Sequence, residues 1–269
     1  TFRSIRFTNS SQEWEIICMN RVYPLGVAFI LVLVMVLGPA LNAQSDSLKK
    51  QNQEQVQIHL RRAEIAWRQG HFQESANAYR QALKIKPDLA QAHYGLGLAL
   101  ARLGNYQEAV KALQEALRYE PAWATAHKDL GVAYLKLKDW PQAIQVFKIS
   151  LKHQPQDPEA FYYLGVAQGN LGRHQEALEA FQEALRLKPD YVSALNNLGM
   201  AYIKLNRWIE AKRSFEKALA LKANNSEAYL GLLACYIQQG DRQAAARTYQ
   251  KLTTLDKRLA RKADELMGK

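Results

Sequence analysis

Apolar and polar positions between residues 56 and 259 repeat on two scales, a helical period nested in a block of 34 residues. The blocks are 56–89, 90–123, 124–157, 158–191, 192–225 and 226–259. Their seventh position holds Arg62, Leu96, Leu130, Leu164, Leu198 and Leu232, and the eighth Ala63, Gly97, Gly131, Gly165, Gly199 and Leu233. A large apolar residue beside a tiny one lets a second helix come close. The twentieth position is small throughout: Ser75, Ala109, Ala143, Ala177, Ala211, Ala245. The twenty-fourth is bulky: Tyr79, Leu113, Phe147, Phe181, Phe215, Tyr249. Each block breaks midway, at Gly70, Gly104, Lys138, Gly172, Asn206 and Gly240, where Gly and Asn suit a left-handed helix end. Pro87, Pro121, Pro155 and Pro189 then stop the second helix, since proline lacks an N–H donor and constrains its predecessor. Each block therefore reads as helix, turn, helix.

A helical period of this length implies a solenoid whose repeats touch mainly their neighbours, offering an extended surface and no deep catalytic pocket. The run Leu130-Gly131-Val132-Ala133-Tyr134, then Ala143 with Phe147, then Pro155, resembles the tetratricopeptide repeat pattern. Blocks two to five match it well. The first and last depart from it, with Arg62 in the leucine column, Leu233 in the glycine column and Lys257 in the proline column. Such departures suit terminal repeats, which pack on one side only. The resemblance implies an all-α, right-handed superhelical solenoid of six helix-turn-helix repeats. Residues 257–268, with Leu259, Ala263, Leu266 and Met267 at helical spacing, supply an amphipathic capping helix.

The stretch before the repeats has another character. Leu25 to Leu37 is a thirteen-residue apolar run preceded by Arg21 and followed by Gly38-Pro39-Ala40-Leu41-Asn42-Ala43. Residues 19–43 thus read as a secretory signal cleaved after Ala43, or as an uncleaved anchor. A bilayer span needs about 20 apolar residues, approached here only by counting 23–41, so membrane contact is expected only through those residues and only without cleavage. Either way the repeats are expected outside the cytoplasm, periplasmic or secreted. Residues 1–18 precede the first methionine, Met19, and read as an upstream leader. The polar residues 44–55 are a linker, either a short tether or an extension of the first helix.

The 269 residues carry a formal charge of +11, and +10 remains once residues 1–43 are set aside. Lysines and arginines spread over both helices of most blocks, without the aromatic interleaving of a nucleic-acid surface, so no nucleic-acid partner is expected. Cys235 is the one cysteine after Met19 and stands in a column of small residues, a packing position. His59, His93 and His127 recur every 34 residues, but equivalent helices lie about 8–10 Å apart or more, too far to share one metal. These histidines read as flat packing residues. Glu74, Glu108, Glu176 and Glu210 share one column and read as helix-surface positions. No catalytic, metal or cofactor motif is found.

One stripe is left over. On the first helix of each block, positions two, five, nine and twelve form the stripe that in the resembled family lines the concave groove. Here it includes Tyr94, Leu98, Lys128, Val132, Leu135, Tyr162, Val166, Asn196, Met200, Ile203, Leu230 and Ile237, with Arg102, Lys136 and Lys204 beside it. An apolar strip with basic edges suits a protein or peptide partner. The chain is therefore expected to be a non-catalytic scaffold of an envelope assembly, and alternatively a carrier of an anionic polymer, glycan or small ligand. The lysine and asparagine pattern by which some members clamp a terminal carboxylate is not met, since Val132 follows Lys128 where Asn is required.

Overall fold

The computed structural model describes residues 25–268, and the expected leader 1–18 and the start of the signal segment lie outside them. Among the described residues there are thirteen helices and no strand. By contacts the chain divides into two units, Thr1–Gln55 and Val56–Lys269. The first contributes part of α1 (Leu25–Arg68), so residues 44–55 are helical. Among the described residues no helix is long and apolar enough to cross a membrane.

The second unit holds the repeats. The residues of α1 from Val56 onward are followed by α2 (Phe72–Ile85), with the Trp67 ring edge-on to that of Phe72 at 5.1 Å. Then come α3 (Ala90–Arg102) and α4 (Tyr106–Tyr119), α5 (Ala124–Lys136) and α6 (Trp140–His153), and α7 (Pro158–Asn170) and α8 (His174–Leu187). The series closes with α9 (Val192–Lys204) and α10 (Trp208–Leu221), then α11 (Ser226–Gln238) and α12 (Arg242–Leu255). The midway break falls in the left-handed region in every block, including the two without glycine, Lys138 at φ 60° and Asn206 at φ 57°. Lys138 pays a steric cost there, on the order of 1 kcal/mol, that Asn206 partly avoids.

The glycine column works as its spacing predicts. A Cβ added to Gly131 would lie 2.5 Å from the Phe147 ring, and one on Gly199 2.6 Å from the Phe215 ring. Position twenty-four thus sits on position eight in blocks two to five, and Phe147 and Phe215 are fully buried. Ala109, Ala143, Ala177 and Ala211 are buried at the same crossing.

Stacking between repeats follows from two further columns. Positions three and ten are alanine or cysteine in blocks two to six and almost wholly buried, from Ala92 and Ala99 to Ala228 and Cys235. The first block has Ile58 and Ile65 there, 55% and 56% exposed, with no preceding repeat among the described residues. At the other end α13 (Lys257–Leu266) closes the stack, packing Ala260 and Ala263 against Leu233 and Leu252. Asp256 caps it, accepting from the backbone N–H of Arg258 and Leu259. Burial pushes the Cys235 thiol up to about 11, which keeps it protonated and unreactive at neutral pH.

Two of the recurring histidines do more than pack. Nε2 of His93 bonds the Pro87 carbonyl at 2.8 Å, and Nε2 of His127 the Pro121 carbonyl at 2.9 Å. They tie the loop between repeats to the helix that follows.

Candidate interaction groove

First helices of successive repeats approach one another closely, whereas second helices touch much less, so α3, α5, α7, α9 and α11 lie on the inner side of the curve. The leftover stripe runs along these helices. Its residues fall into two groups.

In blocks two to four the fifth position of each first helix reaches forward to the next repeat, and its chemistry alternates. The Tyr94 hydroxyl donates to Asp129 at 2.6 Å while its ring lies 4.4 Å from that of Trp123. Lys128 Nζ meets Asp157 at 2.8 Å and Glu159 at 2.9 Å. Tyr162 packs its ring 4.9 Å from Tyr191, and its hydroxyl accepts from Asn197 at 3.4 Å. Asn196, in block five, exchanges hydrogen bonds with Asn225 and donates to Glu227 at 3.0 Å. The unit of this alternation is two repeats: aromatic Trp123 and Tyr191 alternate at position thirty-four with Asp157 and Asn225. The polar pair has a second task. Asp157 caps α7 through the N–H groups of Glu159 and Ala160, and Asn225 caps α11 through that of Ala228.

These contacts revise the sequence expectation at particular residues. Asn196 is 5% exposed, and its amide is engaged with Asn225 and Glu227 within the stack. The charge of Lys128, with only 15% of its side chain exposed, is neutralised by two carboxylates and is no free basic edge. Arg102 lies over the rings of Phe72 and Trp67, at 5.0 and 5.8 Å. Tyr94 and Tyr162 are half-buried, as are Val132 and Leu135, which pack on the core.

Electrostatics agree with a sealed seam. Burial raises the Asp129 carboxyl above its ordinary value, against the lowering effect of the Tyr94 hydrogen bond and the Lys128 charge. Burial opposes the Lys128 charge, but Asp157 and Glu159 outweigh it and hold the ammonium above its usual range.

The second group lies toward the C-terminus and is open. A cavity of about 550 Å³ is lined by Met200, Ile203, Phe215, Leu230, Gly231, Ala234 and Leu259, with Asn196, Asn197, Lys204, Glu227 and Lys262 around it. A depression of about 270 Å³ adjoins it along α7 and α9 and shares Asn197, Met200 and Lys204, with Val166 and Phe181 in its wall. Met200 is 46% exposed and Ile237 38%. Here Met200, Ile203, Lys204 and Leu230, all expected from the sequence, come together. Leu259 and Lys262 of the capping helix were missed as site residues, although the apolar face of that helix was legible. Its polar edge is what completes the cavity. Leu98 is half-buried and Lys136 exposed on the inner helices farther toward the N-terminus. Among the described residues no group of His, Cys, Asp and Glu is arranged to hold a metal ion.

The family described as Cilia and flagella-associated protein 70 C-terminal domain matches residues 28–266. No curated protein matches the chain. Solved structures with the same fold include MamA, residue 41 to the end, from Desulfovibrio magneticus RS-1: 24% identity, TM-score 0.61, covering 64% of this chain and 97% of that one. PilF of Pseudomonas aeruginosa aligns at 19% identity and TM-score 0.65 over 76% of this chain and 93% of its own. YrrB, described as a TPR protein with an unusual peptide-binding site, aligns at 21% identity and TM-score 0.60 over 71% of this chain and 99% of its own. At these identities the likeness is one of fold.

Proposed function

We propose that this chain, which belongs to the Cilia and flagella-associated protein 70 C-terminal domain family and is built of tetratricopeptide repeats, acts as an interaction scaffold. It is a non-catalytic scaffold that holds a segment of a partner protein against the inner face of its first helices. The observation that carries this reading is the open apolar channel at Met200, Ile203 and Leu230, on the face where Tyr94, Lys128 and Tyr162 of the earlier repeats are bonded to the next repeat. YrrB, with its peptide-binding site on the same fold, supports the reading by analogy. The test is direct: panning a random peptide library on the full chain, with a Met200→Glu/Leu230→Glu variant as control. Peptides that bind the parent and not the variant are expected. Equal recovery on both would show that the inner channel is not the site.

The scaffold is also proposed to act outside the cytoplasm in an envelope assembly, on the strength of Arg21 followed by the apolar run Leu25–Leu37. Alkaline phosphatase fused after Gln55 should be active in a bacterial host and lose activity with Leu31→Arg/Val34→Arg. Unchanged activity in that variant would sink the export reading.

A further inference from the structure

The positive charge of this chain is not evenly spread. Residues 204–269 hold fourteen of the 36 basic side chains against seven of the 25 acidic ones. Most of those seven carboxylates are engaged within the fold. Asp241 and Asp256 cap helices, Asp264 accepts from the Tyr249 hydroxyl, and Glu227 accepts from Asn196. Glu210 meets Arg207 at 2.9 Å and Glu216 lies 3.9 Å from Lys212. The surplus is cationic, and much of it is gathered on the capping helix. Lys257, Arg258, Arg261 and Lys262 are all exposed there, and among the described residues none of them forms an ion pair, nor does Lys204.

Geometry joins that surplus to the channel. Lys204, at the end of α9, and Lys262, on α13, both border the cavity whose walls are Met200, Ile203, Leu230, Ala234 and Leu259. Its volume of about 550 Å³ is that of a ligand-holding cleft, and the shallower depression extends it along α7 and α9. An occupant with apolar side chains on the floor would meet Lys204 and Lys262 with negative charge, the one carboxylate of the lining, Glu227, accepting from Asn196.

Resting on the scaffold reading above, we infer that the channel between α9, α11 and the capping helix takes a short acidic amphipathic segment of a partner protein. Its leucine-type side chains enter the cleft and its Asp or Glu residues face Lys204 and Lys262. The capping helix is then part of the recognition surface as well as the end of the stack.

The experiment pans a random peptide library on the full chain and measures the selected peptides by fluorescence anisotropy. Peptides with Asp or Glu flanking apolar residues are expected. Lys204→Glu/Lys262→Glu should weaken them more than tenfold, Lys262→Arg should retain them, and Met200→Glu should abolish binding with the melting temperature unchanged. Peptides that lack acidic bias and are lost with Leu98→Glu or Val132→Glu, and not with Met200→Glu, would overturn this inference and leave the scaffold reading standing. Recovery of no peptide above background would overturn both. A third outcome, a polyanion such as heparin competing fully for the peptide and still binding the Met200→Glu variant, would mean that charge alone is read and would also overturn it.

Discussion

Repeats two to four and repeats five to six present the same face of the same kind of helix, yet they use it differently. In the first region Tyr94, Lys128 and Tyr162 each reach to the next repeat and end there on a partner, Asp129, the Asp157–Glu159 pair, and Tyr191 with Asn197. In the second, Asn196 continues the seam, but Met200, Ile203 and Leu230 surround an open cleft. A stripe that need not be buried can thus serve the stack or a partner. The difference teaches that apolar composition along the inner face does not by itself mark a binding surface. What marks it is apolar area with no repeat to cover it.

The comparison breaks first at Lys128. If the seam of repeats two to four holds the stack together, Lys128→Ala leaves the buried Asp157 carboxylate without its ammonium partner and should cost about 3 kcal/mol by urea denaturation. A loss below about 1 kcal/mol, the scale of an exposed pair, would return Lys128 to the surface category the sequence suggested. Tyr94→Phe removes only one hydroxyl and keeps the ring against Trp123. It should cost about 1 kcal/mol, with Asp129 left to find water.

Much of this was legible beforehand, and for a physical reason. Columns at positions eight, twenty and twenty-four report contacts between the two helices of one repeat; so the need for small residues at Gly131 and Gly199 could be read from spacing, while their seats under Phe147 and Phe215 are given by the packing. The left-handed breaks at Lys138 and Asn206 were legible from their place in a glycine column. The seam was harder. Its period is two repeats, so Trp123, Asp157, Tyr191 and Asn225 look like an unconserved column when aligned every 34 residues. The alternation was present in the sequence, at 68. The contribution of Lys262 was not, because it depends on where the capping helix lies against α11, a placement fixed by packing of Leu233, Ala260 and Ala263.

A subtler probe of the seam is its response to pH. The Asp129 carboxyl is raised in the folded chain, so folding favours its neutral form. Stability contributed by that preference is present in acid, declines as pH rises past the ordinary value near 3.8, and is gone above the folded value. Asp129→Asn removes this dependence while keeping an acceptor for the Tyr94 hydroxyl, as Asn197 stands in the same column one seam unit later. The variant should therefore gain on the parent as pH rises through the acidic range. A constant difference across that range would mean that Asp129 is solvated like a surface carboxylate.

The smallest stability effect belongs to the open region, and its smallness is the point. Met200 is 46% exposed and closes no contact between repeats comparable to those of Tyr94 or Lys128. Met200→Glu should shift the unfolding free energy by less than about 0.5 kcal/mol, the range of substitutions away from a packed core. The same charge placed at Val132, half-buried against the core of repeats three and four, should cost several times more. If both substitutions destabilise alike, the channel is a loosely drawn part of the core and the two regions are one. If Met200→Glu is silent in folding and decisive in peptide capture, the C-terminal repeats carry exposed apolar area for a partner, while the earlier repeats spend theirs on one another.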